Sequence, residues 1–132
     1  MTVNSLAKKL TPIFQAEPKI KLVYLFGSQA TGGTGPLSDY DFAFYIDEKD
    51  SLKRFDLRLK IDSEISLALK TDKVDTVVIN STEMPELKFH IIAYGKLIYE
   101  VEPYKLLVEP RAMIEYYDFK LSLQRNNLTK VK

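Results

Sequence analysis

The chain has 132 residues, of which 45% are hydrophobic and 28% are charged, and its formal net charge at pH 7 is +1. This composition is typical of one water-soluble domain, which we expect to span residues 1–132. The near-neutral charge argues against broad electrostatic binding of nucleic acid, and we expect no direct sequence-specific contact with it. Because cysteine is absent and His90 is the single histidine, disulfides, thiol catalysis and histidine-rich metal sites are excluded.

The first residues of the chain lack the charged and apolar segments of a signal peptide. No apolar run approaches the length that a membrane-spanning helix needs. We therefore expect a cytoplasmic protein that makes no membrane contact.

Hydrophobic periodicity divides the chain into alternating helices and strands. The predicted elements are, in order, a helix over 3–16, strands over 19–26 and 39–46, a helix over 52–69, a strand over 73–79, a helix over 82–94, a short strand over 97–99, and a last helix opened by Pro110 and ending near residue 127. The segment 52–69 also alternates like a strand, but its length and good helix formers favour a helix. The first strand becomes continuously apolar, which predicts burial on both of its faces.

The most informative segment follows that apolar strand. It opens with Gly27 and Ser28, and two aspartates, Asp39 and Asp41, come shortly afterwards at the start of the next strand. Residues two apart in a strand point to the same face, so the two carboxylates should lie side by side. Such carboxylates repel each other unless a cation or a proton lies between them, and Mg²⁺ with substrate phosphates suits that position. The alternative interpretation is an aspartate-rich turn that ends a hairpin.

A third carboxylate is expected from a neighbouring strand, because two-metal sites for phosphoryl or nucleotidyl transfer use several acidic ligands. Asp75 is the candidate, since it lies inside the β-branched run over 74–79, where an isolated charge is expensive to bury. Asp72 lies just outside this run and is expected to be solvated.

The pattern of Gly27-Ser28, Asp39-x-Asp41 and a later strand aspartate resembles the nucleotidyltransferase superfamily of DNA polymerase beta. More closely, it resembles the minimal nucleotidyltransferases, or MNT proteins. The resemblance implies an α/β (α+β) fold, in which helices flank a small mixed β-sheet. Members of this group are commonly antitoxins of HEPN-domain toxins, and some of them transfer AMP from ATP to a tyrosine of the toxin.

Carried over by position, Asp39, Asp41 and Asp75 are implied to be the catalytic residues and the ligands of two Mg²⁺ ions, which Mn²⁺ can replace. Gly27 and Ser28 are implied to bind the nucleotide phosphates. ATP or another nucleoside triphosphate and a HEPN-domain toxin are the implied partners.

Two alternatives remain open at this point. Many antitoxin members carry basic residues just after the Gly-Ser pair, where this chain has Gln29 and Thr31. That departure favours a non-catalytic antitoxin, which neutralises its toxin by binding alone. The third possibility is a nucleotidyltransferase that modifies a small molecule of the aminoglycoside type.

The last predicted helix contains three aromatic residues, Tyr116, Tyr117 and Phe119, that cannot all face one stripe. Two interpretations are open: some aromatic surface is left for a partner or for a homodimer, or all three residues pack on the sheet from one broad apolar face.

Overall fold

The computed structural model describes residues 2–27 and 39–130, with side chains as far as residue 126. Three residues discussed above, Ser28, Gln29 and Thr31, lie outside the described residues. The elements are α1 (Val3–Gln15), β1 (Ile20–Phe26), β2 (Tyr40–Ile46), α2 (Ser51–Leu69), β3 (Val74–Val78), a 3-10 turn (Ile79–Ser81), α3 (Pro85–Tyr94), β4 (Lys96–Glu100) and α4 (Tyr104–Lys130).

The four strands form one mixed sheet in the order β3-β2-β1-β4. Strand β1 pairs antiparallel with both β2 and β4, whereas β2 pairs parallel with β3. A parallel pair needs a crossover connection, and α2 supplies it between β2 and β3. The predicted fold class, an α+β mixed sheet flanked by helices, is confirmed.

Helices cover both faces of the sheet. On one face α1 and α2 pack through Leu6, Leu10, Phe14, Ile61 and Ile65 onto the alternate residues of the strands, among them Phe42 and Phe44. On the other face α3 and α4 pack through Ile91, Ile92, Val108 and Ala112. The central strand β1 is covered on both sides, because consecutive residues 22–25 are each at most 1% exposed. The prediction of a strand buried on both faces is confirmed.

The ambiguous segment is a helix, α2. It begins at the N-cap Asp50, whose side chain accepts a hydrogen bond from the backbone N–H of Leu52. It ends at Lys70 in the left-handed conformation. Its two fully buried residues, Ile61 and Ile65, are four apart and therefore lie on one stripe against the sheet.

The start predicted for the last helix is wrong. Helix α4 begins at Tyr104, and Pro110 lies inside it. The first turn forms on the Pro103 carbonyl, which accepts hydrogen bonds from the backbone N–H groups of Leu106 and Leu107. An internal proline removes one helical hydrogen bond, but the burial of Val108 and Ala112 on either side of Pro110 keeps the helix against the sheet.

A hydrogen bond fastens α4 to the central strand. The hydroxyl of Tyr24, a residue only 1% exposed, donates to Oε2 of Glu109 at 2.6 Å. Burial raises the pKa of the Tyr24 phenol well above its ordinary value, and the Glu109 carboxylate raises it further. The phenol therefore remains a donor at every physiological pH. Across the described residues, no helix combines the length and apolarity that crossing a membrane requires.

Candidate nucleotidyl-transfer site

The strand pairing brings the predicted aspartates to one edge of the sheet. Strands β2 and β3 both begin at this edge because they are parallel, and the antiparallel β1 ends there. Asp41 is paired directly with Asp75 on β3 and with Phe26 on β1. Directly paired residues point to the same face, and the next pair on that face, Ala43 with Val77, packs towards α3 and α4. We refer to Asp39, Asp41 and Asp75 as the acidic centre.

Burial and electrostatic repulsion within the acidic centre act together on Asp41. This residue is partly buried, whereas Asp39 and Asp75 are exposed. Burial raises the pKa of the Asp41 carboxyl above 3.8, its ordinary value, and the negative charges of Asp75 and Asp39 raise it further. A carboxylate that is desolvated and faced by two like charges favours the approach of a cation.

Gly27 lies against the carboxylate of Asp41 at the end of β1. Its φ is +75°, in the left-handed region that side chains disfavour, and a Cβ at this position would come within 2.3 Å of Oδ2 of Asp41. Only glycine permits this approach. The sequence predicts Gly27 as a ligand-binding position; the structure adds that Gly27 makes room for a candidate metal ligand.

A polar network on α2 holds the strand that carries Asp75, and the sequence analysis missed it. Nη1 of Arg58 donates to Oγ1 of Thr76 at 2.9 Å, and Oγ1 of Thr76 donates to Oδ2 of Asp62 at 2.8 Å. Arg58 and Asp62 are four residues apart and so share one helix face. That spacing was the available signal, but an exposed ion pair would produce it equally well.

The donor set fits a hard divalent cation, because it consists of carboxylate oxygens on neighbouring strands. Within residues 2–27 and 39–130, however, no three histidine or acidic side chains converge closely enough to enclose a metal ion. The fit therefore rests on the chemistry of these oxygen donors. Burial, together with the charges of Asp75 and Asp39, raises the pKa of Asp41.

The fold is a small mixed sheet, and the paired aspartates lie at the edge where the central strand ends at Gly27. Together these features are typical of nucleotidyltransferases. The chain belongs to the family described as "Polymerase beta, Nucleotidyltransferase", whose sequence model matches residues 8–104. It is therefore a nucleotidyltransferase by family, as its motif predicted.

Individual relatives are similar over most of the chain. The "Protein adenylyltransferase MntA" of Aphanizomenon flos-aquae (strain 2012/KM1/D3) is 28% identical over an aligned length of 127 residues, and the match covers 87% of this chain and 75% of that protein. A chain in a crystal structure of a toxin-antitoxin with AMP-PNP has a TM-score of 0.76 at 22% identity, and the match covers 96% of this chain and 98% of that one. A chain in the structure of a tri-AMPylated Shewanella oneidensis HEPN toxin in complex with MNT antitoxin has a TM-score of 0.71 at 20% identity, with 99% and 100% covered. The resemblance to the MNT group is confirmed.

Proposed function

We propose that this chain is an antitoxin that transfers AMP from ATP to a tyrosine hydroxyl of a HEPN-domain toxin. The observation that carries the proposal is the direct pairing of Asp41 with Asp75 beside Gly27, in a chain of the nucleotidyltransferase family. The relative named as a protein adenylyltransferase, and the MNT antitoxin crystallised with a tri-AMPylated toxin, support AMP as the group and a HEPN protein as the acceptor.

In the proposed reaction, the acceptor oxygen attacks the α-phosphorus of ATP. The new bond joins that oxygen to phosphorus, the bond from the α-phosphorus to the bridging oxygen breaks, and pyrophosphate leaves. In this proposal Asp75, one of the two exposed carboxylates of the acidic centre, takes the proton of the entering hydroxyl. The backbone at Gly27, together with Ser28, holds the β- and γ-phosphates. Positioning and charge supply most of the catalysis.

Asp39, Asp41 and Asp75 would hold two Mg²⁺ ions, or Mn²⁺ in their place. When bound, such ions lower the pKa of the attacking hydroxyl and neutralise charge on the pyrophosphate leaving group. The aspartates themselves create the negative potential that draws cations to this edge of the sheet.

The acidic centre is expected to destabilise the metal-free protein, which gives a test independent of activity. Because the folded-state pKa of Asp41 is raised, its ionisation penalises the folded state above that pKa, and the penalty vanishes below 3.8. Asp75→Asn removes one repelling charge, so in EDTA at pH 7 this variant should have a higher Tm than the wild type. The gain should disappear as the pH falls below about 3.8, and Mg²⁺ should stabilise the wild type more than the variant. A lower Tm for Asp75→Asn in EDTA at pH 7 would contradict this account.

The experiment that tests the function is incubation with α-labelled ATP, Mg²⁺ and a HEPN-domain toxin as the candidate acceptor protein. We expect the label on a tyrosine of that protein, with release of pyrophosphate. Absence of label with both Mg²⁺ and Mn²⁺ would overturn the proposed activity.

The second candidate is neutralisation by binding alone, which Gln29 and Thr31 favour because they replace basic residues near the phosphates. A double variant, Asp39→Ala with Asp41→Ala, separates the two in cells that express the toxin. If the double variant protects cells as fully as the wild type, binding is sufficient. If protection is lost although the toxin is still bound, transfer is required.

A further inference from the structure

Helix α4 is apolar on two opposite faces. The inner face packs on the sheet through Val108 and Ala112, which are 8% and 3% exposed. Successive residues of an α-helix turn by about 100°, so Ile114 points away from Ala112. We define the outer face of α4 by its six large apolar residues, which are Leu106, Leu107, Met113, Ile114, Tyr117 and Leu121.

The outer face exposes more apolar surface than is usual for a helix face in contact with water. Its six side chains are between 38% and 76% exposed, and Leu107, Ile114 and Leu121 recur every seven residues along one line. Burying a large apolar side chain stabilises a protein, so leaving six of them in water forgoes considerable stability. A continuous apolar stripe of this extent marks a surface for another macromolecule.

Rigid aromatic residues adjoin the outer face. The rings of Phe89 on α3 and Tyr116 on α4 stack with their centroids 4.0 Å apart, and Tyr117 meets Phe89 edge-on at 6.2 Å. They line an open groove of about 540 Å³ together with Lys120, Leu121 and Gln124. Aromatic side chains already fixed in place lose little conformational entropy when a partner packs on them. Of the three aromatic residues singled out in the sequence, Tyr117 is 58% exposed and lies on this surface.

The extent of the comparisons separates α4 from the shared catalytic unit. The nucleotidyltransferase family model ends at residue 104, the residue where α4 begins. The structural match to the complex of HEPN toxin and MNT antitoxin covers 99% of this chain, so it includes α4. The part of the chain that the whole family shares therefore ends where α4 begins, whereas the likeness to the chain from the toxin complex continues through α4.

Helix α4 begins at the end of the sheet opposite the acidic centre. Its first residue, Tyr104, donates a hydrogen bond from its hydroxyl to Oδ2 of Asp47 at 2.9 Å. Asp47 follows β2, so it lies at the opposite end of the sheet from Asp41.

We propose that the outer face of α4 is the surface that holds the HEPN toxin. This proposal rests on the proposed function, because that function requires a protein acceptor and the chain must retain it during transfer. The occupant is an apolar helical face of the toxin, since a straight stripe repeating every seven residues fits a partner helix.

The test measures the affinity of the chain for the HEPN-domain toxin used in the labelling experiment by calorimetry. Leu121→Glu and Ile114→Glu should each raise Kd at least about tenfold, because a carboxylate would be buried in an apolar contact. The matched control is Ser122→Glu, which adds the same charge one residue further along, and its Kd should stay within about twofold of the wild type because the side chain points elsewhere. All three positions are exposed, so each variant should remain folded, and circular dichroism checks this.

The outcomes separate this surface from the activity. If the wild type labels the HEPN protein with AMP but Leu121→Glu binds as tightly as the wild type, the surface is wrong and the function stands. If Leu121→Glu binds more weakly but the wild type transfers no label, the surface stands and the function is wrong. If Leu121→Glu only converts a dimer of the isolated chain to monomers, the occupant is a second copy and the proposal is overturned.

Discussion

Asp41→Asn is expected to lower the rate of AMP transfer by about a thousandfold, which corresponds to roughly 4 kcal/mol of transition-state stabilisation. Asparagine keeps the size of the side chain and the backbone pairing with Asp75 and Phe26, but it removes the negative charge from the middle of the acidic centre. The loss should appear in kcat at saturating ATP and Mg²⁺, measured as the rate at which labelled AMP is transferred to the HEPN protein.

The matched control for this prediction is Asp72→Asn. Asp72 is an exposed carboxylate just before β3, three residues from Asp75, and it has no place in the acidic centre. Its replacement should leave kcat within about twofold, since surface charges away from a site have small effects. Equal activity of Asp41→Asn and the wild type would remove Asp41 from the catalytic centre, whereas equal losses for Asp41→Asn and Asp72→Asn would indicate a general effect of charge.

Gly27→Ala is expected to destabilise the protein by about 2–3 kcal/mol and to lower kcat/KM at least about a hundredfold. Two effects act together. An alanine at a φ of +75° is strained, and its Cβ would lie 2.3 Å from Oδ2 of Asp41, so the carboxylate must move. Urea unfolding measures the first quantity, and the labelled-ATP assay measures the second.

A double-mutant cycle separates these two effects at Gly27. In an Asp41→Ala background the carboxylate is absent, so Gly27→Ala should cost only the backbone strain, about 1 kcal/mol. The difference between the two backgrounds reports the steric contact with Asp41. If Gly27→Ala costs the same with and without the carboxylate, the contact does not constrain Asp41, and backbone conformation alone explains the glycine.

Local patterns in the sequence predicted most elements of the fold, because the apolar residues that a helix or a strand buries recur with the period of that element. The alternation of Tyr40, Phe42, Phe44 and Ile46 predicted a core-facing strand, and these residues do pack into the core between the sheet and α1 and α2. The start of α4 was predicted wrongly because proline is common in the first turn of a helix, which favours Pro110 as the first residue. Its penalty inside the helix is outweighed by tertiary burial on both sides of it, which a local rule does not include.

The sequence by itself determined the chemistry of the candidate site: the identity of Asp39, Asp41 and Asp75, and a glycine at the end of the first strand. Tertiary structure alone decided that Asp41 lies directly beside Asp75, since that pairing requires β2 and β3 to be parallel and in one register. It also decided that Gly27 faces the Asp41 carboxylate and that one side of α4 remains exposed. Residue types and short-range spacing are written along the chain, whereas these contacts join segments far apart in sequence and exist only when the sheet has formed.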